Sequence, residues 1–289
     1  MIFIDINKAK LPIKWKRNAK KLTEQLTALP EVDRSQFIEK QRKSTWGDPA
    51  CLKALRNVVG NKCWYSEVPL EGADPNVDHF HPKGRVKVID EKFEPTGETL
   101  SGYWWWAFEW RNFRLAAMHA NQRRVDEETN GGKADYFPVL GARAVEPTDY
   151  SLCIEQIIPL DPCSISDVAL LWFDPNGVPS CSSWRAKPSD AEIFRVKASI
   201  WLYHLDKGEI KDKRRFHMEQ IYLDLKNANT HYVLWKTIPN NQISKNSFDT
   251  SIATLKLKLA DSSDFVSAKK CALRAATAEF EWIFDFGLL

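Results

Sequence analysis

No apolar run in this 289-residue chain approaches the roughly 20 residues that cross a bilayer. The opening Met1-Ile2-Phe3-Ile4 is too short for the apolar segment of a signal peptide, so a cytoplasmic protein with no membrane association is expected. The six cysteines (51, 63, 153, 163, 181 and 271) include no C-x-x-C pair, which points to reduced, buried thiols rather than disulfides. No G-x-x-x-x-G-K-[ST] occurs, which excludes a P-loop nucleotide site. Internal repeats and low-complexity tracts are also missing. What is left is an ordinary globular composition, 44% hydrophobic and 27% charged, long enough for one large domain or a core with a second helical lobe.

Acidic residues are absent between Lys8 and Lys21, a stretch holding seven bases: Lys8, Lys10, Lys14, Lys16, Arg17, Lys20 and Lys21. A solvated helix face explains one such run. Further bases at Lys83, Arg85, Lys87, Arg111, Arg114, Arg123 and Arg124 cluster in sequence around one motif, which points to a polyanionic substrate despite a net charge of only +3. The twelve tryptophans are read as core and interface aromatics, some of them available for stacking on bases or docking a partner.

The pattern predicts an α+β protein in three parts: a helical segment over 1–60, a catalytic core over 61–185 and a helical lobe over 186–289. Ile2 to Ile6 reads as a short strand. Helices are predicted from Ile13 to about Leu29, from Glu31 to about Thr45, and from Asp48-Pro49 to Gly60, the last with an aspartate cap and a glycine stop. Gly72-Ala73-Asp74-Pro75 reads as a turn and Val77 to Phe80 as a strand. Lys83 to Gly102 is either a β-excursion or a long loop over the site. Tyr103 to Phe108 has the aromatic density of a buried strand, and a helix is expected after Asn112. Strands and turns follow over 136–181, and helices from Pro188-Ser189-Asp190 to the end.

Asp78-His79 sets a carboxylate beside an imidazole, and Asn112 and Asn121 supply two amides nine residues apart. Phosphodiester hydrolysis needs a base for water and a cation to carry charge on the phosphate. A neutral histidine suits the first role, while aspartate and asparagine oxygens suit a hard divalent ion. Neighbouring strand residues face opposite ways, so the chain must bend at Asp78-His79 if both serve one site. On one regular helix Asn112 and Asn121 would also point apart, so Asn112 must precede the helix.

The order Val77-Asp78-His79-Phe80-x-Pro82-Lys83, Tyr103-Trp104-Trp105, Trp110-x-Asn112, Asn121 and Phe137-Pro138 resembles the HNH endonucleases of the Septu and retron-associated anti-phage systems, over about residues 50 to 220. The HNH domains of CRISPR effector nucleases show a similar order. The resemblance implies a ββα-metal core that cleaves DNA, with RNA also open, in a defence system and beside a partner ATPase. By position, His79 would be the general base, Asn112 the brace of the loop that positions it, and Asp78 and Asn121 the ligands of one Mg2+ or Mn2+ ion. Lys83, Arg85, Arg111, Arg123 and Arg124 would contact nucleic acid. The alternatives are a subunit active only in its complex and an inactive HNH-like binding scaffold.

One departure is large. The two C-x-x-C pairs of the family stand here as Cys63-Trp64-Tyr65-Ser66 and Ala117-Met118-His119-Ala120. The structural zinc is therefore expected to be lost, with Cys63 as a buried remnant and tryptophan packing in its place. His81 reads as either a phosphate contact or an ordinary surface residue. His119 reads as structural, and His204, His217 and His231 as plain helix residues.

Overall fold

A computed structural model describes residues 1–72, 76–125, 129–184 and 186–289. The predicted turn at Gly72 to Pro75 lies for its last three residues outside these. In chain order the elements are α1 (Ile13–Thr27), α2 (Glu31–Lys40), α3 (Pro49–Val59), β1 (Asn76–His79), β2 (Arg85–Ile89), β3 (Pro95–Ser101), β4 (Phe113–Ala116), α4 (Met118–Asn121), β5 (Arg124–Val125), β6 (Asn130–Gly131), β7 (Val139–Leu140), β8 (Gln156–Ile157), α5 (Ile165–Val168), β9 (Leu171–Phe173), β10 (Pro179–Cys181), α6 (Asp190–Leu202), α7 (Gly208–Thr237), α8 (Gln242–Lys258) and α9 (Val266–Ala275). The strands form five antiparallel pairs, β1 with β4, β2 with β3, β5 with β6, β7 with β8 and β9 with β10, so the class is α+β.

Local chemistry explains the helix ends. The Asp48 carboxylate accepts the Ala50 N–H at 2.7 Å ahead of Pro49, and Gly60 ends α3 at φ +88°. Ser189 and Glu192 form a reciprocal cap at the start of α6. One cluster of buried residues draws on all three predicted parts, including Leu26, Trp64 and Leu202. A second gathers α7, α8 and the C-terminal segment around Phe248, Leu255 and Trp282.

Four expected elements differ. Residues 2–5 are no strand; Ile4 donates one N–H to the Pro162 carbonyl, and a 3-10 turn follows at Ile6–Lys8. The second helix ends at Lys40, and Arg42–Ser44 tightens into a 3-10 turn. Trp104–Trp106 is also a 3-10 turn, whose rings pack on Tyr103, Tyr150 and one another, because large side chains radiating from one tight turn fill the core without a ladder partner. After Asn112 comes β4 rather than a helix; Phe113, Leu115 and Ala116 are buried, and helix forms only over the four residues Met118–Asn121. Lys83 to Gly102 is the β2–β3 hairpin.

Candidate active site

The β1–β4 ladder pairs His79 with Phe113 and Asp78 with Arg114, so Asn112 comes immediately before the strand that backs the motif. Asn112 ends a 3-10 turn at Trp110–Asn112 and is fully buried. Its Oδ1 accepts the His81 N–H at 2.8 Å, and its Nδ2 donates to the His81 carbonyl at 3.0 Å. One amide thus completes both backbone groups of the residue that turns the chain after β1. Asn112→Ala would leave both buried and unpaired, a cost of about 2–4 kcal/mol. A lower urea midpoint at unchanged m-value would register that loss.

The His79 ring is held edge-on by Trp46 and Phe113, with centroids at 4.9 and 5.1 Å. Its Nε2 lies 2.9 Å from the Ala107 carbonyl, which can only accept, so Nε2 carries the proton and Nδ1 the lone pair. Among the described residues Nδ1 has no hydrogen-bond partner, and His79 is one of the residues that line a cavity. Burial, joined by the nearby Lys83 ammonium, holds the imidazolium form well below the usual histidine range and keeps the ring neutral.

Asp78 faces a different set of partners. The Tyr65 hydroxyl donates to Oδ2 at 2.5 Å, and the Lys133 ammonium donates to Oδ1 at 2.9 Å and to the His79 carbonyl at 2.7 Å. Lys133 is fully buried; its pKa is lowered by burial against the opposing pull of Asp78. Gly132 places it there. At φ +104°, a Cβ on Gly132 would lie 1.9 Å from the Gln122 carbonyl oxygen, so only glycine lets this segment close on the end of α4. There the Lys133 and Ala134 N–H groups donate to the Ala120 and Asn121 carbonyls, both at 2.9 Å.

Asp78, His79 and Asn121 therefore come together with Lys83, Arg85, Lys133 and Asp135 around a cavity of about 580 Å³. Lys83 bonds Glu39 at 2.9 Å and stands over Trp46, while Arg85 pairs with Asp135 at 2.7 Å. The other expected nucleic-acid contacts do not line this cavity. Arg111 is clamped by Glu109, Arg123 stacks on Trp201 at 4.2 Å, and Arg124 lies on β5. His81 is neither a phosphate contact nor a surface residue. It is buried among the rings of Phe80, Tyr103, Trp106, Phe137 and Tyr150, and burial pushes its pKa down to about 3. Cys63 is buried, and at the two knuckle positions Ser66 and His119 meet through Oγ and Nε2 at 3.1 Å.

A scan of family models and searches of curated proteins and solved structures match nothing to this chain.

A divalent ion at Asp78 and Asn121 would meet a carboxylate that already has partners. Both Asp78 oxygens are engaged, one of them by a buried cation that already supplies the positive charge. As folded, the pair fits a metal poorly: each oxygen keeps a further lone pair, but an ion at Oδ1 would sit beside the Lys133 ammonium. Sequence reasoning missed Lys133, which is 55 positions from Asp78. Its nearest signal was the Gly131-Gly132 pair.

Proposed function

We propose that this protein is an HNH-type phosphodiester hydrolase acting on nucleic acid, DNA first and RNA as an open alternative. The observation that carries the reading is the His79 ring, with Nε2–H fixed on the Ala107 carbonyl and the lone pair left on Nδ1, in a residue that lines a cavity shared by Lys83, Arg85 and Lys133 with Asp78 and Asp135. In the proposed step Nδ1 takes a proton from a water whose oxygen bonds to phosphorus. The P–O bond to the leaving sugar oxygen breaks, that oxygen takes a proton from solvent, and the His79 imidazolium returns its proton to the hydroxide so formed, which restores the neutral ring. Lys83, Arg85 and Lys133 offset the charge on the phosphate. Asn112 acts as a positioning residue through the His81 backbone. The proposal routes no step through Mg2+ or Mn2+.

A second cavity supports a long substrate. It shares Ser35, Lys83 and Gly84 with the first and continues past Arg34, whose guanidinium lies 3.8 Å from the Trp104 ring centroid. A cation on an aromatic face beside the cleft suits a flexible polyanion that carries bases. The motif resemblance implies a role in anti-phage defence beside a partner ATPase, a reading consistent with a sequence that carries no P-loop motif.

The test is cleavage of plasmid DNA and of RNA by wild type and His79→Ala, with EDTA and with magnesium or manganese. Loss of the base should slow cleavage by about 10²–10⁴-fold, and equal rates for the two proteins would sink the assignment. The engaged Asp78 favours one further reading, a binding scaffold without catalysis. Nucleic-acid affinity lost on Lys83→Ala, with no cleavage under any condition, is the outcome that selects it.

A further inference from the structure

A third group of chemistry-bearing side chains lies on the other side of Asn112. His81, Cys153 and Glu155 come from the turn after β1 and from the segment ahead of β8. His81 Nε2 is 4.0 Å from Cys153 Sγ and 4.0 Å from Glu155 Oε2, and Sγ is 3.8 Å from Oε2. These separations are too long for strong hydrogen bonds. They form a nearly equilateral triangle, and a point equidistant from the three atoms lies about 2.3 Å from each, the length of a zinc–thiolate bond and slightly longer than zinc–imidazole or zinc–carboxylate bonds.

The surroundings hold two of the three donors in place. His81 Nδ1 lies 3.2 Å from Asn112 Oδ1, an acceptor, so Nδ1 carries the proton and Nε2 turns its lone pair to the triangle. Glu155 is fixed by the Tyr103 hydroxyl at 2.8 Å from Oε2 and by the Ala144 N–H at 2.5 Å from Oε1. Aromatic rings enclose the imidazole, the dry outer shell that metal-bound histidine commonly has.

We propose that His81, Cys153 and Glu155 form a zinc site with three protein ligands and a fourth position left to water. Thiolate with imidazole selects zinc over magnesium, and the site is separate from both Asp78 and the degenerate knuckle at Cys63. Its open fourth position departs from the closed four-ligand shell of most structural zinc sites; its part here is to brace the chain. It ties the turn after His79 to the segment ahead of β8, so that Asn112 and the metal grip the same residue from two sides. Zinc is thus placed where no C-x-x-C spacing announces it.

The test uses the full-length chain, loaded with one equivalent of zinc and freed of excess by gel filtration, with metal measured by mass spectrometry. Wild type and Cys163→Ser should each hold one zinc per chain. Cys153→Ala and Glu155→Gln should hold none while keeping the wild-type circular dichroism spectrum. Cobalt loading should give a thiolate charge-transfer band in wild type and Cys163→Ser that Cys153→Ala lacks. Wild type without zinc after loading, or a folded Cys153→Ala that retains the full equivalent, overturns the proposal.

Discussion

Lys133→Met is expected to lower folding stability by about 3–5 kcal/mol, because it strips a buried carboxylate of its cation. The methionine keeps most of the bulk, so the effect isolates charge rather than packing. Asp78 would retain only the Tyr65 hydroxyl, and the His79 carbonyl would lose its donor as well. At this chain length the change is a fall in Tm of roughly 10 °C. Lys133→Met with Asp78→Asn should recover much of the loss, since the pair is then neutral on both sides. The same variants probe the metal. With Lys133 gone, Oδ1 becomes a free anionic ligand near Asn121, so magnesium should raise the Tm of Lys133→Met and leave the double variant unmoved. Wild-type Tm should respond to magnesium little, because its own ammonium holds that position. Calorimetry of the three proteins with and without magnesium decides each point. An unchanged Tm in Lys133→Met would show that the Asp78–Lys133 pair adds no net stability.

The parts of this molecule that local chemistry governs could be read from the sequence. Asp48, Pro49 and Gly60 bound α3 because a cap, a fixed φ and a left-handed stop are properties of single residues. Asp78, His79, Asn112 and Asn121 stand out in the sequence through the motif resemblance, and the requirement that Asn112 precede the helix agrees with its place in a 3-10 turn ahead of β4 and α4. The aromatic run at 103–108 misled, because bulk signals burial in strands and tight turns alike. The chain after Asn112 misled for a related reason. Phe113, Arg114, Leu115 and Ala116 are all buried, so neither a helical nor an alternating period distinguishes the faces. Lys133 was invisible for a third reason: a lysine is read as a surface charge until tertiary structure supplies its partner. His81, Cys153 and Glu155 share that limit, since two of the three come from a segment about seventy residues away.

A second tether of this kind should be as costly to cut. Arg114 is fully buried on β4, where it gives Nε and Nη2 to Asp161 at 2.8 and 2.6 Å in a bidentate pair. Burial opposes its charge, and Asp161 more than offsets that, so its pKa stands above the usual arginine value. Asp161→Ala leaves a buried guanidinium without its anion and the Cys163 N–H without its acceptor, a loss of about 3–5 kcal/mol. Arg114→Met with Asp161→Asn keeps an acceptor for Cys163 and removes the stranded charge but still leaves the Arg111 and Phe113 carbonyls without their donor, so it should recover only part of the loss. The consequence reaches the candidate site through the backbone. Arg114 Nη1 also donates to the Arg111 and Phe113 carbonyls at 2.7 and 2.9 Å, the two residues flanking Asn112. A guanidinium drawn away toward water in Asp161→Ala would release both carbonyls and let the Asn112 amide shift off His81. If the proposed function holds, nucleic-acid cleavage by the folded Asp161→Ala protein should therefore drop along with its stability, under conditions where circular dichroism shows it intact. Full activity in that folded variant would show that the Asn112 clamp stands without the Arg114 pair.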